Sequence, residues 1–471
     1  MRRIAFLLAL FAAGPLSIAA GASLSPAALA NQKLAREILD EIVATDSTHA
    51  RGSTEVARVL EKRLRAAGFA GEDVQLLTPK PDKGNLIVRL RGRGQSVGKP
   101  KPILFIAHLD VVEADPADWS TPPFQVTEKN GMLYGRGVID IKDEVAILVA
   151  NLIRLKREKY APTRDVIVAL TSDEEGGGDL NGVEWLLKNR RDLIDAEFVM
   201  NSDSGGGDLE DGKRMLLRFQ TGEKTYETFR LETTNPGGHS SMPPRENAIY
   251  RLTAGLDRLA RFEFPVSLND TTQAFFARLA GLQSDPALAA DMKVVGQGVV
   301  DGAAVQRLSS TPLYNATLRT TCVTTVLRAG EAEAALPQRA QATVQCRLLP
   351  GETVSDVQAT LAKVIADPEI KVTAMYNPVA APASPLRPDV LRAVERVASE
   401  LWPGVPVVPS MDPWSSDSFF VRSAGIPSYG VSGVFTDEDS NGAHGRDEHV
   451  GVQPFQDGVE FNYRLIKALT R

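Results

Sequence analysis

The sequence predicts an α/β fold in which helices flank a mostly parallel central sheet, together with an inserted α+β domain. Apolar runs such as NLIVRL and ILFIAHLD alternate with helical patterns such as DEVAILVANLIRLKREKY, which is typical of a parallel sheet covered on both faces. Near Gln220 the pattern changes to KTYETFRLETT, whose alternation of polar and apolar residues indicates a half-exposed strand. At 471 residues the chain is long enough for two domains.

The order of these patterns predicts the domain boundaries. Residues 23–219 hold the first strand–helix alternation, residues 220–377 hold hairpin-like strands with their helices, and residues 378–471 return to strand–helix alternation. We expect the middle segment to form a separate layer inserted into a larger domain. Within it, the stretch FEFPVSLNDTTQAFFARLAGLQSDPALAADMK predicts additional helices.

The amino-terminal segment is typical of a secretory signal peptide. Two arginines precede an apolar run, and residues 20–22 (AGA) resemble a cleavage site, so we expect residues 1–22 to be removed. An uncleaved anchor is the alternative, but Gly14 and Pro15 interrupt the run. No later segment is apolar enough to span a membrane. We therefore expect a periplasmic or secreted protein that has no membrane partner once the signal is removed.

The charge and composition of the chain argue against nucleic acid as a partner. The formal net charge is −6 and the pI about 5.6, and no basic stretch is interleaved with aromatic residues, which argues against nucleic-acid binding.

The two cysteines, Cys322 and Cys346, are too few for a disulfide framework or a thiolate zinc site. Both lie in β-like runs that could pair them in an oxidising compartment. Two buried free thiols are the commoner arrangement and the one expected here.

Adjacent carboxylates follow a predicted strand in the stretch TSDEEGGG. Asp173, Glu174 and Glu175 repel one another, so either water solvates them on a loop or a cation holds them. Comparable polar residues follow other predicted strands or stand in glycine-rich turns: His108 and Asp110 in FIAHLD, Asp140 in GRGVIDIKD, Asp203 in NSDSGGG and His444 in NGAHGRDEH.

Together these clusters predict a two-metal hydrolytic site. The carboxyl ends of parallel strands meet at one edge of a sheet, which would bring the clusters together. Histidine, aspartate and glutamate without cysteine suit two zinc ions, bridged by one carboxylate and ~3.5–4 Å apart. Of Glu174 and Glu175, one would bind a metal and the other would move a proton. His49 and His449 have no such setting, and we expect them at the surface.

Seven motifs stand in a characteristic order along the chain: HLDVV, WSTPPF, GMLYGRGVIDIKD, TSDEEGGG, GGHSSMPP, CRLLPGET and GAHGRDEHV. In this order they resemble the M20 metallopeptidases from about His108 to the carboxyl terminus, and most of all the branch of carboxypeptidase S and the secreted N-acyl-amino-acid hydrolases. The resemblance implies a zinc-peptidase fold in which residues 23–219 and 378–471 form the catalytic domain. Residues 220–377 would form a lid and dimerisation domain.

The resemblance also implies the metal ligands. One metal would bind His108, Asp140 and Asp203. The other would bind Asp140, Glu175 and His444, so that Asp140 bridges the pair. Zinc is the expected metal, two ions per subunit, although cobalt or manganese accepts the same ligands.

Further roles follow from the same resemblance. Glu174 would act as general base and then as general acid, and Asp110 would orient His108. The peptide bond after Asp140 is cis in relatives. In dimeric relatives the histidine of GGH, here His239, reaches the partner's active site and polarises the scissile carbonyl. Arg347, in CRLLPG, would bind the carboxylate of the substrate.

The lid residues also have structural alternatives. His239 could instead be a turn residue packed under Pro243 and Pro244, and Arg347 could belong to a salt bridge within the lid. The resemblance implies a possible homodimer that forms through this domain.

Three positions depart from the family's usual residues. Ala334 stands where relatives often carry an asparagine that helps to hold the substrate backbone, and Asp143 stands where glycine is usual. Phe419 occupies the place of an arginine near the substrate. Phe419 and Trp414 could line an apolar pocket, but we expect both in the core.

These inferences predict an exported, metal-dependent hydrolase of the carboxypeptidase or dipeptidase type. It would cleave an amide bond next to a free carboxylate, in a small peptide. The alternatives are an N-acyl-amino-acid amidohydrolase or a hydrolase of a xenobiotic amide. A non-catalytic periplasmic binding protein would have lost ligands or the base, and all of them are present.

Overall fold

The computed structural model describes residues 24–93, 100–176, 180–437 and 441–471. The predicted signal peptide, residues 1–22, lies outside the described residues. Within the described ranges, every helix is too short or too polar to cross a lipid bilayer.

Helices and strands alternate through most of this chain. The helices are α1 (Pro26–Val43), α2 (Thr54–Ala66), α3 (Lys142–Arg157), α4 (Gly182–Asn189), α5 (Arg191–Ile194), α6 (Ala248–Ala260), α7 (Asp270–Ala280), α8 (Pro286–Gly296), α9 (Gly302–Leu308), α10 (Pro312–Leu318), α11 (Val354–Ile365), α12 (Pro388–Leu401), α13 (Ser418–Ser423) and α14 (Val452–Leu469). The strands are β1 (Val74–Lys80), β2 (Lys83–Leu90), β3 (Ile103–His108), β4 (Thr127–Lys129), β5 (Met132–Tyr134), β6 (Val166–Thr171), β7 (Phe198–Asn201), β8 (Gly206–Glu210), β9 (Lys213–Glu223), β10 (Thr225–Thr234), β11 (Gly238–His239), β12 (Thr321–Ala329), β13 (Ala335–Leu336), β14 (Arg339–Leu348), β15 (Lys371–Ala374), β16 (Val407–Asp412), β17 (Ser428–Gly430), β18 (Phe435–Thr436) and β19 (His449–Gly451).

The larger sheet has the strand order β1-β2-β6-β3-β7-β17-β9-β8-β18, with β16 paired to β9. Its centre, from β6 through β3 and β7 to β17, is parallel, whereas β1-β2, β2-β6, β17-β9 and β8-β9 are antiparallel. Strands β3 and β6 are buried along their whole length, which explains their uninterrupted apolar runs. The predicted central sheet flanked by helices is confirmed, and the sheet as a whole is mixed.

Helices cover both faces of this sheet because successive residues of a strand point to opposite sides. On β3, Phe105 packs in one apolar cluster with α1, α3 and α14, which includes Ile38 and Phe461. Leu104 and Ile106 pack in the other cluster with α4, α5 and α13. The carboxyl edge of the sheet therefore stays open between two helical layers.

The inserted domain is an antiparallel sheet with the strand order β12-β14-β10-β15. Helices α6 and α11 pack on one of its faces, where Leu252 and Leu361 meet Phe229 of β10 and Val344 of β14. The alternating burial of β14 matches the period of two that the sequence shows.

Cys322 and Cys346 form a disulfide between β12 and β14. The expectation of two free thiols is wrong, because the register of the hairpin places the two residues directly opposite each other, with their Cα atoms 4.1 Å apart. Base rates for cysteine burial carry no information about that register.

The inserted domain is smaller than the sequence suggests. Strand β9 stays in the larger sheet to Glu223, so the boundary falls there rather than after residue 219. Helices α7 to α10 also pack on the larger sheet, because Phe276 shares an apolar cluster with Leu216 of β9 and Val408 of β16. These helices therefore cover the edge of the larger domain instead of extending the inserted domain.

Candidate metal centre

Three of the predicted clusters lie at neighbouring strand ends. His108 ends β3, Glu174 and Glu175 follow β6, and Asp203 follows β7. Because β3 pairs in parallel with both β6 and β7, the three carboxyl ends meet at one edge of the sheet. Asp140 joins them from the loop before α3.

The first predicted ligand set is assembled. His108 Nε2 lies 3.3 Å from Asp140 Oδ1 and 3.7 Å from Asp203 Oδ1, so the three residues can reach one ion. His108 is buried, and its Nδ1 donates to the Asp110 backbone carbonyl at 3.0 Å. A carbonyl can only accept, so Nδ1 carries the proton when the ring is neutral, and Nε2 is then the nitrogen available to a metal.

The second predicted ligand set is also assembled. His444 Nε2 lies 2.9 Å from Asp140 Oδ2 and 2.8 Å from Glu175 Oε1. One oxygen of Asp140 thus faces each ligand set, which is the placement that a bridging carboxylate requires. The peptide bond between Asp140 and Ile141 is cis, as the resemblance implies.

The charges of this cluster fit two divalent cations. Burial alone would raise the pKa of Asp140, but the contacts with His108 and His444 lower it. Contacts with Asp140 and Glu175 raise the pKa of His444 to about 10, and burial raises the pKa of Asp203. These carboxylates favour protonated imidazole rings at His108 and His444. Two bound cations would take the place of those protons. Nitrogen and oxygen donors without thiolates accept zinc, cobalt or manganese.

Glu174 faces the same space without belonging to either set. Burial, and then the neighbouring Asp203 carboxylate, raises the pKa of Glu174 well above its usual range. Its carboxylate lies close to His108 and Glu175, with ligand atoms of the three within 4.8 Å of one another. A carboxylate in this position can exchange a proton with a molecule held between the two ligand sets.

Asp110 acts differently from the expectation. Its carboxylate Oδ1 lies 4.0 Å from His108 Nδ1, because the backbone carbonyl of Asp110 takes that contact. The carboxylate instead accepts the backbone N–H of Glu174 at 3.2 Å and that of Glu175 at 3.0 Å. Asp110 therefore holds His108 through its backbone and the glutamate loop through its side chain.

A second buried contact holds the same loop, and the sequence did not reveal it. Asp173 has a left-handed backbone with a φ of 64°. Its carboxylate accepts from Lys83 Nζ at 2.5 Å and from the backbone N–H of Leu180 at 3.0 Å. A Cβ atom at Gly176 would lie 1.8 Å from Asp173 Oδ1, so glycine is needed there. Lys83 stands two residues before the run NLIVRL, and nothing in that stretch of sequence marks it as a partner of the loop.

His49 and His449, the two histidines expected at the surface, each contact another side chain. His49 is exposed, as expected, and lies 3.3 Å from Asp173 Oδ1. His449 is only half-buried rather than a free surface residue, because its ring packs on Tyr134 with centroids 5.0 Å apart.

A cavity of about 1040 Å³ opens above the two candidate ligand sets, between the larger domain and the inserted domain. Arg347 lies in its wall, 4.9 Å above the ring of Tyr226. Among the described residues, none forms an ion pair with Arg347, so the alternative of a lid salt bridge finds no support there.

Trp414 and Phe419 line the same cavity, and Trp414 is 41% exposed. The expectation that these two rings belong to the core is wrong.

His239 is not brought to this cavity within one chain. It lies in β11, is exposed, and its Nδ1 contacts Ser241 Oγ at 2.7 Å. It is not packed under Pro243 and Pro244, because all three residues are exposed.

Glu144 and Asp143 lie in the cavity wall and were not singled out as a pair by the sequence. Both begin α3 and are buried, and Glu144 accepts a hydrogen bond from Ser432 at 2.5 Å. The departure at Asp143 therefore adds a buried carboxyl group close to Asp140.

Comparison with known proteins identifies the group to which the chain belongs. Residues 104–468 match the sequence profile of Peptidase family M20/M25/M40. The chain is 29% identical over 378 residues to the N-fatty-acyl-amino acid synthase/hydrolase PM20D1 of Homo sapiens, covering 78% of this chain and 74% of the relative. It is 26% identical over 401 residues to the probable carboxypeptidase S-like 2 of Dictyostelium discoideum, covering 81% and 74%.

A solved structure has the same fold. The M20 family metallo-carboxypeptidase Sso-CP2 from Sulfolobus solfataricus superposes with a TM-score of 0.66 at 17% identity, covering 93% of this chain and 99% of that chain. Together with the profile match over most of the chain, this shows that the protein is an enzyme of the peptidase family M20/M25/M40, of the metallopeptidase and amidohydrolase type.

Proposed function

We propose that the protein hydrolyses an amide bond next to a free carboxylate, with two bound metal ions. The observation that carries this proposal is Arg347, a cation in the wall of the cavity that contains both ligand sets. A planar guanidinium binds a carboxylate through two parallel hydrogen bonds, which would orient the substrate as well as hold it. Its neighbour Tyr226 supports the guanidinium from below.

The residues of the site have two roles, metal binding and proton transfer. His108, Asp140, Asp203, Glu175 and His444 would hold the metals, which when bound supply a Lewis acid for the scissile carbonyl and lower the pKa of water. Glu174 takes a proton from the attacking water and delivers it to the leaving nitrogen. Burial and the Asp203 carboxylate raise its pKa, which favours a carboxyl group that accepts a proton and then gives it up.

The group on the other side of the amide bond distinguishes two candidates. A carboxypeptidase or dipeptidase holds an amino acid or peptide there, and an N-acyl-amino-acid amidohydrolase holds an acyl chain. The aromatic wall of Trp414 and Phe419 favours an apolar acyl group, because Phe419 removes a cation that could have held a polar one. The human relative, an N-fatty-acyl-amino acid synthase/hydrolase, points the same way.

The proposal includes a homodimer that forms through the lid. Strand β12 is the edge of the lid sheet, and its apolar side chains Val323, Val326 and Leu327 are exposed. An edge strand with unpaired backbone groups and apolar side chains is suited to pairing with a second copy. In such a dimer the exposed His239 could reach the cavity of the partner subunit.

The proposed compartment is the periplasm or the exterior of the cell. The predicted signal peptide motivates it, and the disulfide between Cys322 and Cys346 supports it, because such bonds persist in oxidising compartments.

The test is the hydrolysis of a small panel of substrates by purified mature protein. The panel contains a dipeptide, an N-acetyl amino acid and a long-chain N-acyl amino acid, each with an amidated counterpart. Each reaction is run with a chelator and after addition of zinc, cobalt or manganese. We expect cleavage that needs both the metal and the free carboxylate. Preference for the long acyl chain would identify the second candidate. Equal cleavage of the amidated counterparts would contradict the proposal.

A matched pair of variants assigns the carboxylate to Arg347. Arg347→Ala should raise KM for the free carboxylates by roughly tenfold to a hundredfold, as for a lost charge-assisted pair, and should leave the amidated compounds unchanged. Arg339→Ala is the control, because Arg339 lies on the same strand β14 but is exposed. If both substrate classes lose equally with Arg347→Ala, Arg347 has only a structural role.

A further inference from the structure

Two loops that carry metal ligands are joined by a buried ion pair. Arg136 precedes Asp140, and Glu448 follows His444. Arg136 Nη1 lies 2.6 Å from Glu448 Oε2, and the two residues are 2% and 0% exposed. A buried pair of this kind is costly unless further hydrogen bonds satisfy both groups, so the remaining partners indicate what it does.

The carboxylate of Glu448 is satisfied by the loop that leads to the bridging ligand. Its Oε2 accepts the backbone N–H of Gly137 at 2.9 Å. Its Oε1 accepts the backbone N–H of Ile139 at 2.9 Å and that of Asp140 at 3.2 Å. Every one of these partners is a donor, so only a group with two oxygens that accept, and no N–H, fits the position.

The guanidinium of Arg136 bonds through its two terminal nitrogens to Glu448 and to the loop of the second histidine, and its buried Nε has no partner among the described residues. Its Nη2 donates to the backbone carbonyl of Gly445 at 2.6 Å, directly after His444. The ring of Trp119 lies 5.0 Å from the guanidinium and covers it. His444 itself has a left-handed backbone with a φ of 57°, so the loop must be held in place for the ring to point at Asp140.

The two ligand sets differ in how they depend on this pair. His108 and Asp203 lie at or just after the ends of β3 and β7, which the ladder of the larger sheet holds. Asp140 and His444 lie on loops whose backbones bond to Glu448 and Arg136. The pair therefore supports two of the three ligands in the second set and one of three in the first.

We propose that Arg136 and Glu448 are positioning residues, which set the distance between Asp140 and His444 and thereby the affinity of the second metal position. This inference rests on the proposed two-metal function. It assigns neither residue a contact with substrate or metal, and it predicts that the two metal positions respond unequally when the pair is broken.

The experiment measures zinc bound per chain after dialysis against a series of buffered free zinc concentrations. Glu448→Gln keeps the size of the side chain but replaces one of its two accepting oxygens by an NH₂ group. That group cannot accept the backbone N–H groups that Glu448 accepts in wild type. We expect wild type to bind two ions and Glu448→Gln to bind one of them with roughly 10–100-fold lower affinity, the range typical of partners that orient metal ligands. The affinity for the other ion should change much less. His444→Ala, which lacks one ligand of the second set, identifies which of the two ions the second set holds.

Two further variants separate positioning from stability. Arg136→Lys keeps the charge, but a single ammonium cannot reach both Glu448 and Gly445 as the fork does, so this variant should also bind the second ion more weakly. Glu460→Gln is the matched control, because it breaks another partly buried pair, Arg154–Glu460 at 3.3 Å between α3 and α14, away from the ligand loops. It should bind two ions as wild type does, even where its melting temperature falls.

The outcomes are distinct. Wild-type zinc affinities in both Glu448→Gln and Arg136→Lys would overturn the inference, as would an equal weakening of both ions. If Glu448→Gln does not fold, as judged by circular dichroism, Arg136→Lys alone decides between these results. If wild type itself binds no metal, the proposed two-metal function fails first and this inference with it.

Discussion

The carboxylate of Asp110 accepts a hydrogen bond from the backbone N–H of Glu175 at 3.0 Å. This contact links the end of β3 to the loop after β6, and it places a buried acceptor under the residue that would bind the second metal. The same carboxylate accepts the N–H of Glu174, so one side chain sets the positions of both the ligand and the proposed base.

Asp110→Asn should lower kcat by roughly tenfold to a hundredfold, because an amide nitrogen must replace one of two buried acceptors at a cost of about 1.5–3 kcal/mol. His108 should keep its metal, since it bonds to the Asp110 carbonyl and not to the carboxylate. Steady-state kinetics and metal content measure both effects. The control is Asp115→Asn, where the carboxylate caps an exposed backbone N–H. Turnover at the wild-type rate in Asp110→Asn would show that the loop holds itself.

Mixing two inactive variants tests the proposed lid dimer. Glu174→Gln should bind both metals and lose turnover by at least about a hundredfold, and His239→Ala should lose turnover because the partner's cavity lacks the ring. Refolded together in equal amounts, they should regain about one quarter of wild-type activity, since half of the dimers would have one complete site. No recovery in mixtures shown to exchange subunits would contradict a role for His239 across the interface.

Replacing Cys322 and Cys346 by serine should lower the free energy of unfolding by about 3 kcal/mol, because the bond closes a loop of 24 residues in the unfolded chain. Denaturant unfolding of wild type with and without a reductant provides the same comparison without mutation. Arg347 follows Cys346 on β14, so KM for carboxylate substrates should rise with the loss of the bond. Identical unfolding midpoints in oxidised and reduced protein would show that the bond contributes nothing to stability.

The pH dependence of stability should reflect Lys224, a buried lysine at the junction between β9 and the lid. Its Nζ donates to the Arg319 carbonyl at 2.8 Å and to Thr321 Oγ1 at 3.1 Å, and burial lowers its pKa from 10.5 to about 7. Between these two values the unfolded chain binds more protons than the folded one. The free energy of unfolding therefore rises with pH in this window, by up to about 1.4 kcal/mol per pH unit.

The measurement is denaturant unfolding of wild type and Lys224→Met from pH 7 to pH 9. The stability of wild type relative to the variant should increase across this range, since below pH 7 the folded protein carries the full cost of a buried charge. Lys188→Met, at an exposed position on α4, is the control. A constant difference between wild type and Lys224→Met would contradict the lowered pKa.

The sequence by itself determined the class of fold and predicted the residues of the candidate metal centre. Buried parallel strands need continuous apolar runs, and polar residues directly after such runs must lie at the edge where the strands end. That is why His108, Asp203 and the two glutamates could be predicted as neighbours before any coordinates were known. The ordered motifs added Asp140 and His444, and the structure brings both to the same edge.

Only the tertiary structure decided how these ligands are held and what surrounds them. Register is a property of paired strands, so the sequence left the disulfide open. Contacts between residues far apart in the chain, such as Glu448 with Ile139 at a separation of 309 residues, leave no periodic signal in either segment. The residues of the cavity wall also depend on contacts between distant parts of the chain. Trp414 and Phe419 read as core residues because apolar side chains usually are, whereas the gap between lid and larger domain exposes them to a cavity.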